Sequence, residues 1–291
     1  MSGTLVVNEI YLSLQGESTF AGLPCIFVRL TGCDLRCSYC DTAYAFGGGK
    51  KRSLAEIRAE VRRLARPFRS QGACGSFRES GGAPALSARS QVAPARPHEQ
   101  ADKNVGAPPS NSRMRPRAIR SQGLPLVELT GGEPLLQENS LPLMRTLCDD
   151  GFTVLLETNG ARDISPVDPR VRRIVDLKCP GSGEAARNRW ENLPHLTRTD
   201  EIKFVITSRE DYEWAKACIR KHKLAAVCPL LLSWAQPLGP EQQNKSLKQA
   251  PPEQTPITRQ ALAEQIIADR LPVRFQVQLH KVIWAPEARG V

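Results

Sequence analysis

Short apolar, β-branched runs recur along the chain at residues 5–10, 25–30, 126–129, 153–156, 173–177, 202–206, 226–231 and 273–279. Runs of this length, bounded by polar or Gly/Pro residues, predict strands. Several are separated by stretches of helical period. Ser53 and Glu56 form a capping-box pair, followed by Leu54, Ile57, Val61 and Leu64 on one face. Residues 141–148, 211–221 and 258–267 are the other predicted helices. Alternating strands and helices imply a mainly parallel sheet covered by helices. In such folds functional groups gather at the carboxyl ends of the strands.

Two stretches break the pattern. Residues 67–122 are rich in Ser, Gly, Ala, Pro and Arg, nearly free of aromatics, and show no sustained period of 2 or 3.6. Such a composition buries too little apolar surface to offset its ordering entropy, so a disordered insertion is expected. Residues 239–256, rich in Gln, Lys and Pro, predict a polar loop.

The insertion changes the meaning of the charge. The chain carries a formal +10, which invites a nucleic-acid reading. Between Lys50 and Gln122, however, stand 16 Lys/Arg against 5 Asp/Glu, leaving 24 basic and 25 acidic residues elsewhere. The excess lies in one helix and one irregular segment, not in a stripe across a fold, so no direct nucleic-acid binding is expected. An arginine cluster such as Arg113–Arg117 reads as a solvated linker, with contact to RNA or an acidic partner as the competing reading.

With 291 residues the chain can bury a full core, in one large domain or two small ones. No apolar run approaches the ~18 residues that span a bilayer. The first residues lack the basic-then-apolar layout of a signal peptide, so a cytoplasmic protein is expected. In that compartment nine cysteines read as metal ligands and buried thiols.

Three of those cysteines carry the chemistry. Cys33, Cys37 and Cys40 stand at C-x-x-x-C-x-x-C spacing, with Tyr39 before the third. Three thiolates can hold three irons of a cubane iron–sulfur cluster, leaving the fourth open to a small molecule. A zinc knuckle borrowing a fourth ligand is the competing reading. Further on, Thr130-Gly131-Gly132-Glu133-Pro134 follows an apolar strand, and its glycines allow a ligand close to the backbone. Glu157-Thr158-Asn159-Gly160 and Asp176-Leu177-Lys178-Cys179 end two more strands. Cys179 is expected not to ligate iron. Arg29, inside an apolar strand, needs a partner. It either pairs with Glu9 or Glu17 or clamps a substrate carboxylate. His280 alternates outward from a β-rich run, as a surface or core histidine also would.

The cysteine motif followed by Thr-Gly-Gly-Glu-Pro resembles radical S-adenosylmethionine (SAM) enzymes. With Leu14-Gln15-Gly16-Glu17, Asp41-Thr42, Glu-Thr-Asn-Gly and Gln278-Leu-His280-Lys281, the chain resembles the 7-carboxy-7-deazaguanine synthase family of queuosine and 7-deazapurine biosynthesis. The likeness covers residues 5–66, 124–231 and 257–284. It implies an α/β fold, a single-domain curtailed (β/α) partial barrel interrupted by the two insertions. It implies a carbon–nitrogen lyase that converts 6-carboxy-5,6,7,8-tetrahydropterin to 7-carboxy-7-deazaguanine with loss of ammonia. By the same resemblance Cys33, Cys37 and Cys40 hold a [4Fe-4S] cluster. Tyr39, Gly132, Glu133, Glu157, Asn159, Asp176, Leu177 and Lys178 meet SAM. Leu14, Gln15, Gly16, Glu17, Arg29, Thr130 and His280 meet the pterin, and Thr42 ligates Mg²⁺. A flavodoxin- or ferredoxin-type electron donor and a homodimer are also implied. A glycyl-radical activating enzyme and a non-enzymatic zinc or iron–sulfur module are the competing functions.

Overall fold

The computed structural model describes residues 3–69, 125–285 and 288–291, without the side chain of residue 69. Nine strands form one sheet in the order β3-β1-β2-β4-β5-β6-β7-β8-β9. The long β1 (Thr4–Leu14) pairs antiparallel with both β2 (Pro24–Leu30) and β3 (Lys50–Ser53). From β2 onward every pairing is parallel, through β4 (Leu126–Gly131), β5 (Val154–Thr158), β6 (Arg172–Asp176), β7 (Glu201–Ile206), β8 (Leu230–Trp234) and β9 (Arg274–Gln276). The mainly parallel sheet follows the strand–helix alternation, and with β3 and β9 as unjoined edges it is the partial barrel that the resemblance implies.

Alternation along each strand sorts residues between two faces. One face carries Ile26, Val28, Leu30, Val127, Leu129, Val154 and Leu156, all fully buried. Helices α1 (Leu54–Arg69), α2 (Ser140–Asp149), α3 (Arg209–Lys221) and α4 (Arg259–Ala268) add buried residues to this core, among them Ile57, Val61, Leu147, Ile219 and Leu262. The other face changes character along the strand. Leu126 gives way to Glu128 and Thr130, Leu155 to Glu157, and Ile174 to Asp176. The apolar ends of these rows, with Cys25, Phe27 and Phe20, form a small second core beneath a polar mouth.

The turn between β1 and β2 lies at the amino ends of the parallel strands and reaches across the concavity. Thr19 donates its backbone N–H to Glu201 at the start of β7 (3.1 Å), and Gln276 of β9 donates to the Ser18 carbonyl (3.0 Å). Strands far apart in the sheet are thereby tied through one floor. Gln15 and Glu17, on that floor, border the interior.

Several predicted boundaries move. Strand β1 runs to Leu14, four residues beyond its apolar part, because its pairing with β2 continues. Strand β3 has two lysines and little buried surface, as suits an edge, and carries no apolar signal. The predicted 226–231 strand starts later, since Leu224–Ala226 form a 3-10 turn after left-handed Lys223. The predicted 273–279 strand shortens to β9, and His280 begins a short helix, α5 (His280–Ile283), rather than alternating out of a strand. Pro67 does not end α1. Val61 and Ala65 carry its buried face into the last turns, and this packing outweighs one missing backbone donor. Residues 70–122 of the expected insertion lie outside the described residues. The 239–256 stretch is the expected loop, with one 3-10 turn at Pro240–Gln242. No described helix is long and apolar enough to cross a membrane.

Candidate active site

The carboxyl ends of β2 and β4–β6 open onto a cavity of about 440 Å³. All but two of the residues that the resemblance assigns to the cluster, SAM, the pterin or Mg²⁺ border it; Glu133 and Leu177 stand behind its wall.

The cysteine loop leaves β2 at Gly32 and is fixed from three sides. Glu133 donates its N–H to the Gly32 carbonyl (2.7 Å), Ser38 donates to Ser182 O (3.1 Å), and Arg36 N–H donates to the Glu184 carboxylate (2.7 Å). Cys33, Cys37 and Cys40 all border the cavity as free thiols. Burial pushes Cys37 up to about 11 and Cys40 to about 12, while the Lys178 ammonium pulls both down. Metal binding replaces such protons with a cation, and Lys178 favours the resulting thiolates. Among the described residues no three His, Cys, Asp or Glu side chains converge as a single ion requires. Cys179 is fully buried in the core, its thiol directed to the Leu177 carbonyl.

Of the six enclosed side-chain polar atoms without a partner among the described residues, two belong to residues singled out above: the Tyr39 hydroxyl and Asp176 Oδ1. Both residues border the cavity beside the thiols. Buried polar atoms are normally hydrogen-bonded, so these two fit a polar group supplied from outside the chain. Asp176 Oδ2 takes the Lys178 ammonium at 2.7 Å, so Lys178 is anchored within this same patch. Asn159 donates to Asp34 (3.1 Å) and lies 3.8 Å from Cys33 Sγ.

Glu133 plays a different part from the one its motif suggests. Its carboxylate has no exposed surface and accepts from Asn159 N (2.7 Å), Leu135 N (2.9 Å) and the Thr158 hydroxyl (2.9 Å). Burial raises its pKa to about 7 against those donors. It shapes the turn rather than facing the cavity. The Leu177 side chain likewise belongs to the core.

Arg29 finds Glu9, not Glu17. Its Nε donates to Glu9 (2.7 Å) and one terminal nitrogen to the Tyr11 hydroxyl (2.8 Å), while the group still borders the cavity. Glu157 accepts from Thr130 (3.0 Å) and is ion-paired to Lys203. Lys203 also reaches Glu17 (3.2 Å), and Gln15 donates to Glu128 (2.5 Å). Thr42 donates to Asp41 (2.8 Å), whose other oxygen takes Lys281 (2.6 Å) and Gln278 (3.0 Å). Burial opposes ionisation of Asp41, but Lys281 outweighs it and holds the carboxyl far below its usual range. His280 stands over Gly16, close enough that a Cβ there would lie 3.3 Å from its Nδ1.

Glu128 and Lys203 were not singled out from the sequence, and Lys281, named within its motif, was given no role. Glu128 and Lys203 had a signal: a charged residue interrupting an apolar strand at the step where its neighbours also turn polar.

No family model matches the chain. It is 39% identical over 286 residues to the 7-carboxy-7-deazaguanine synthase of Koribacter versatilis (strain Ellin345), covering 98% of this chain and 99% of that relative. It is 35% identical over 290 residues to the enzyme of the same name from Chlorobaculum tepidum, covering 99% and 97%. Its fold matches the crystal structure of QueE from Escherichia coli with a TM-score of 0.57 at 19% identity, over 95% of each chain.

Proposed function

The chain belongs to the 7-carboxy-7-deazaguanine synthase family of radical SAM enzymes, and from that premise we propose that it converts 6-carboxy-5,6,7,8-tetrahydropterin to 7-carboxy-7-deazaguanine with loss of ammonia. One observation carries the reading. The three-cysteine loop and the polar ends of neighbouring strands meet at a single cavity. Cys33, Cys37 and Cys40 would hold a [4Fe-4S] cluster, and Tyr39, Gly132, Asn159, Asp176 and Lys178 border the space for SAM. When bound, the reduced cluster and SAM supply the radical that abstracts hydrogen.

The remaining work falls to the chain's own groups. The Arg29 guanidinium, oriented by Glu9 and Tyr11, offers its remaining N–H groups to the substrate carboxylate. Thr130 and the Gln15–Glu17 turn border the pterin's part of the cavity, with Leu14 and His280 at its margin. The small core of Phe20, Phe27, Leu155 and Ile174 closes the floor to water. Thr42 offers an oxygen for Mg²⁺. A flavodoxin- or ferredoxin-type protein would deliver the electron, and the family resemblance favours a homodimer.

Anaerobic reconstitution tests this reading. The protein should bind about four irons per chain and, with SAM and a reductant, release the deazaguanine product from the carboxypterin. Cys37→Ala should lose the visible absorbance and SAM cleavage, whereas Cys179→Ala should keep both. A colourless, zinc-loaded protein would overturn the assignment in favour of a zinc module.

A further inference from the structure

Three carboxylates and one ammonium share the inner end of the cavity. Lys203 is hydrogen-bonded to Glu17 and Glu157. Glu128 is 2% exposed, and among the described residues no cation is hydrogen-bonded to it. Its Oε2 accepts from Gln15 Nε2 at 2.5 Å. The Gln15 amide is not free to turn: its oxygen is held by Glu17 N (2.6 Å) and Ser18 N (3.1 Å), so its NH₂ must face Glu128. Glu128 Oε1 accepts no hydrogen bond among the described residues, and the residue borders the cavity.

Charge decides the state of this group. Lys203 is already shared by two carboxylates, and a third ionised carboxylate would stand buried without a cation of its own, which is strongly unfavourable. Burial, then Glu157, raises the Glu128 pKa well above the usual range, while Lys203 keeps Glu157 low and ionised. A neutral acid that accepts at Oε2 carries its hydrogen at Oε1. The pyrimidinone ring of a pterin presents a carbonyl oxygen and a ring nitrogen as acceptors, which a carboxylate cannot satisfy and a carboxylic acid can.

We propose that Glu128 is a substrate-binding residue whose carboxylic acid, held in place by Gln15, donates a hydrogen bond from Oε1 to an acceptor on the pyrimidinone ring. This rests on the pterin reading of the site. The groups that face Glu128 are Tyr11 of β1, Glu17 of the β1–β2 turn, Cys25 of β2, Glu157 of β5 and Lys203 of β7. Burial raises Tyr11 and Cys25 above their ordinary values, so both stay neutral near pH 7. Raising the pH ionises Glu128, removes the donor and adds a charge beside Glu157, so pterin binding weakens on the alkaline side.

Equilibrium titration of the reconstituted enzyme with 6-carboxy-5,6,7,8-tetrahydropterin, without reductant, tests this. Glu128→Leu should raise Kd about tenfold or more, the scale of one buried hydrogen bond. Glu128→Gln keeps an N–H donor for the ring and an oxygen for Gln15. It should bind within about threefold of wild type at pH 7, on the same scale, and lose the alkaline weakening. The proposal falls if Glu128→Leu, with intact visible absorbance and circular dichroism, binds as wild type does. It also falls if Glu128→Gln retains the wild-type pH profile, which decides the matter should Glu128→Leu fail to fold. Wild-type protein that cleaves SAM but takes up no pterin overturns both this assignment and the proposed function. Wild-type turnover with unchanged variant binding overturns this assignment alone.

Discussion

Glu184 and Arg36 are joined by a 2.7 Å hydrogen bond from the Arg36 backbone N–H to the Glu184 carboxylate. Arg36 lies between two of the three motif cysteines, and Glu184 follows the turn after β6. The other Glu184 oxygen takes the Lys248 ammonium at 2.9 Å, and Lys248 donates its own N–H to the Arg36 carbonyl at 2.8 Å. The polar 239–256 loop and the turn after β6 thus hold the cysteine loop in shape together.

Glu184→Ala strands the Arg36 N–H and leaves the Lys248 ammonium with the Gly183 carbonyl alone. The buried bond to a charged acceptor is worth about 1.5–3 kcal/mol, and most of that falls on the loop. Iron bound per chain after reconstitution should drop, with the far-ultraviolet spectrum unchanged. Lys248→Ala should have a smaller effect, because that side chain is half exposed. Wild-type iron content in Glu184→Ala would remove the carboxylate from this role.

Gly132 is a glycine because of what stands over it. A Cβ there would lie 1.9 Å from the Gly32 carbonyl oxygen and 2.9 Å from Cys33 N. Both atoms are backbone, so Gly132→Ala must push the start of the cysteine loop away. The variant should fold, lose most of its visible absorbance, and bind SAM at least tenfold more weakly by the scale of one or two lost polar contacts. Iron assays and equilibrium dialysis check both.

Asp150, at the end of α2, takes Arg58 and Arg62 of α1 and clips the two helices together far from the cavity. The Arg58 bond, against an opposing effect of burial and helped by Arg62, pushes the Asp150 pKa down to about 2. A carboxyl lowered in the folded state contributes stability above its unfolded value, near 4, and loses it as pH falls towards 2. Both arginines are partly exposed, so screening limits the contribution to about 1–2 kcal/mol. Asp150→Asn should therefore lower urea-unfolding stability by that amount at pH 7, and the gap should close below pH 3. Turnover per folded molecule should not change.

The strand–helix alternation was legible because the outer face of the sheet is uniformly apolar. So were the cysteine loop and the Gly-Gly turn, whose chemistry is written in contiguous residues. Partnership across the barrel was not. Lys203 meets Glu17 and Glu157 only because the β1–β2 turn folds under strands β5 and β7, and no local pattern encodes that approach. Arg29 announced its need for a partner, but choosing Glu9 over Glu17 took the antiparallel register that sets Glu9 beside it. The predicted 273–279 strand is too long, and His280 after it starts a helix, because an apolar run with alternating polarity does not reveal a helical turn four residues long.

Thr42 gives its hydroxyl hydrogen to Asp41 Oδ1, which leaves its oxygen lone pairs available beside the cavity. Asp41 is itself held by Lys281 and Gln278, so the hydroxyl is oriented by residues from both ends of the chain. A hard dication takes oxygen ligands and retains several positions for water or substrate. One threonine oxygen is a weak site alone, so Mg²⁺ should bind tightly only once the substrate carboxylate completes its shell. Mg²⁺ should then speed pterin conversion without affecting cluster assembly. Thr42→Ala should keep the visible spectrum and lose most of the Mg²⁺ stimulation, while Thr42→Ser, which keeps the oxygen, should retain it. Lys281→Met frees Asp41 to swing from Thr42 and should cut the stimulation in part. Initial rates across a Mg²⁺ titration, with a chelator blank, separate these cases. A Thr42→Ala enzyme stimulated as fully as wild type would take Thr42 out of the site.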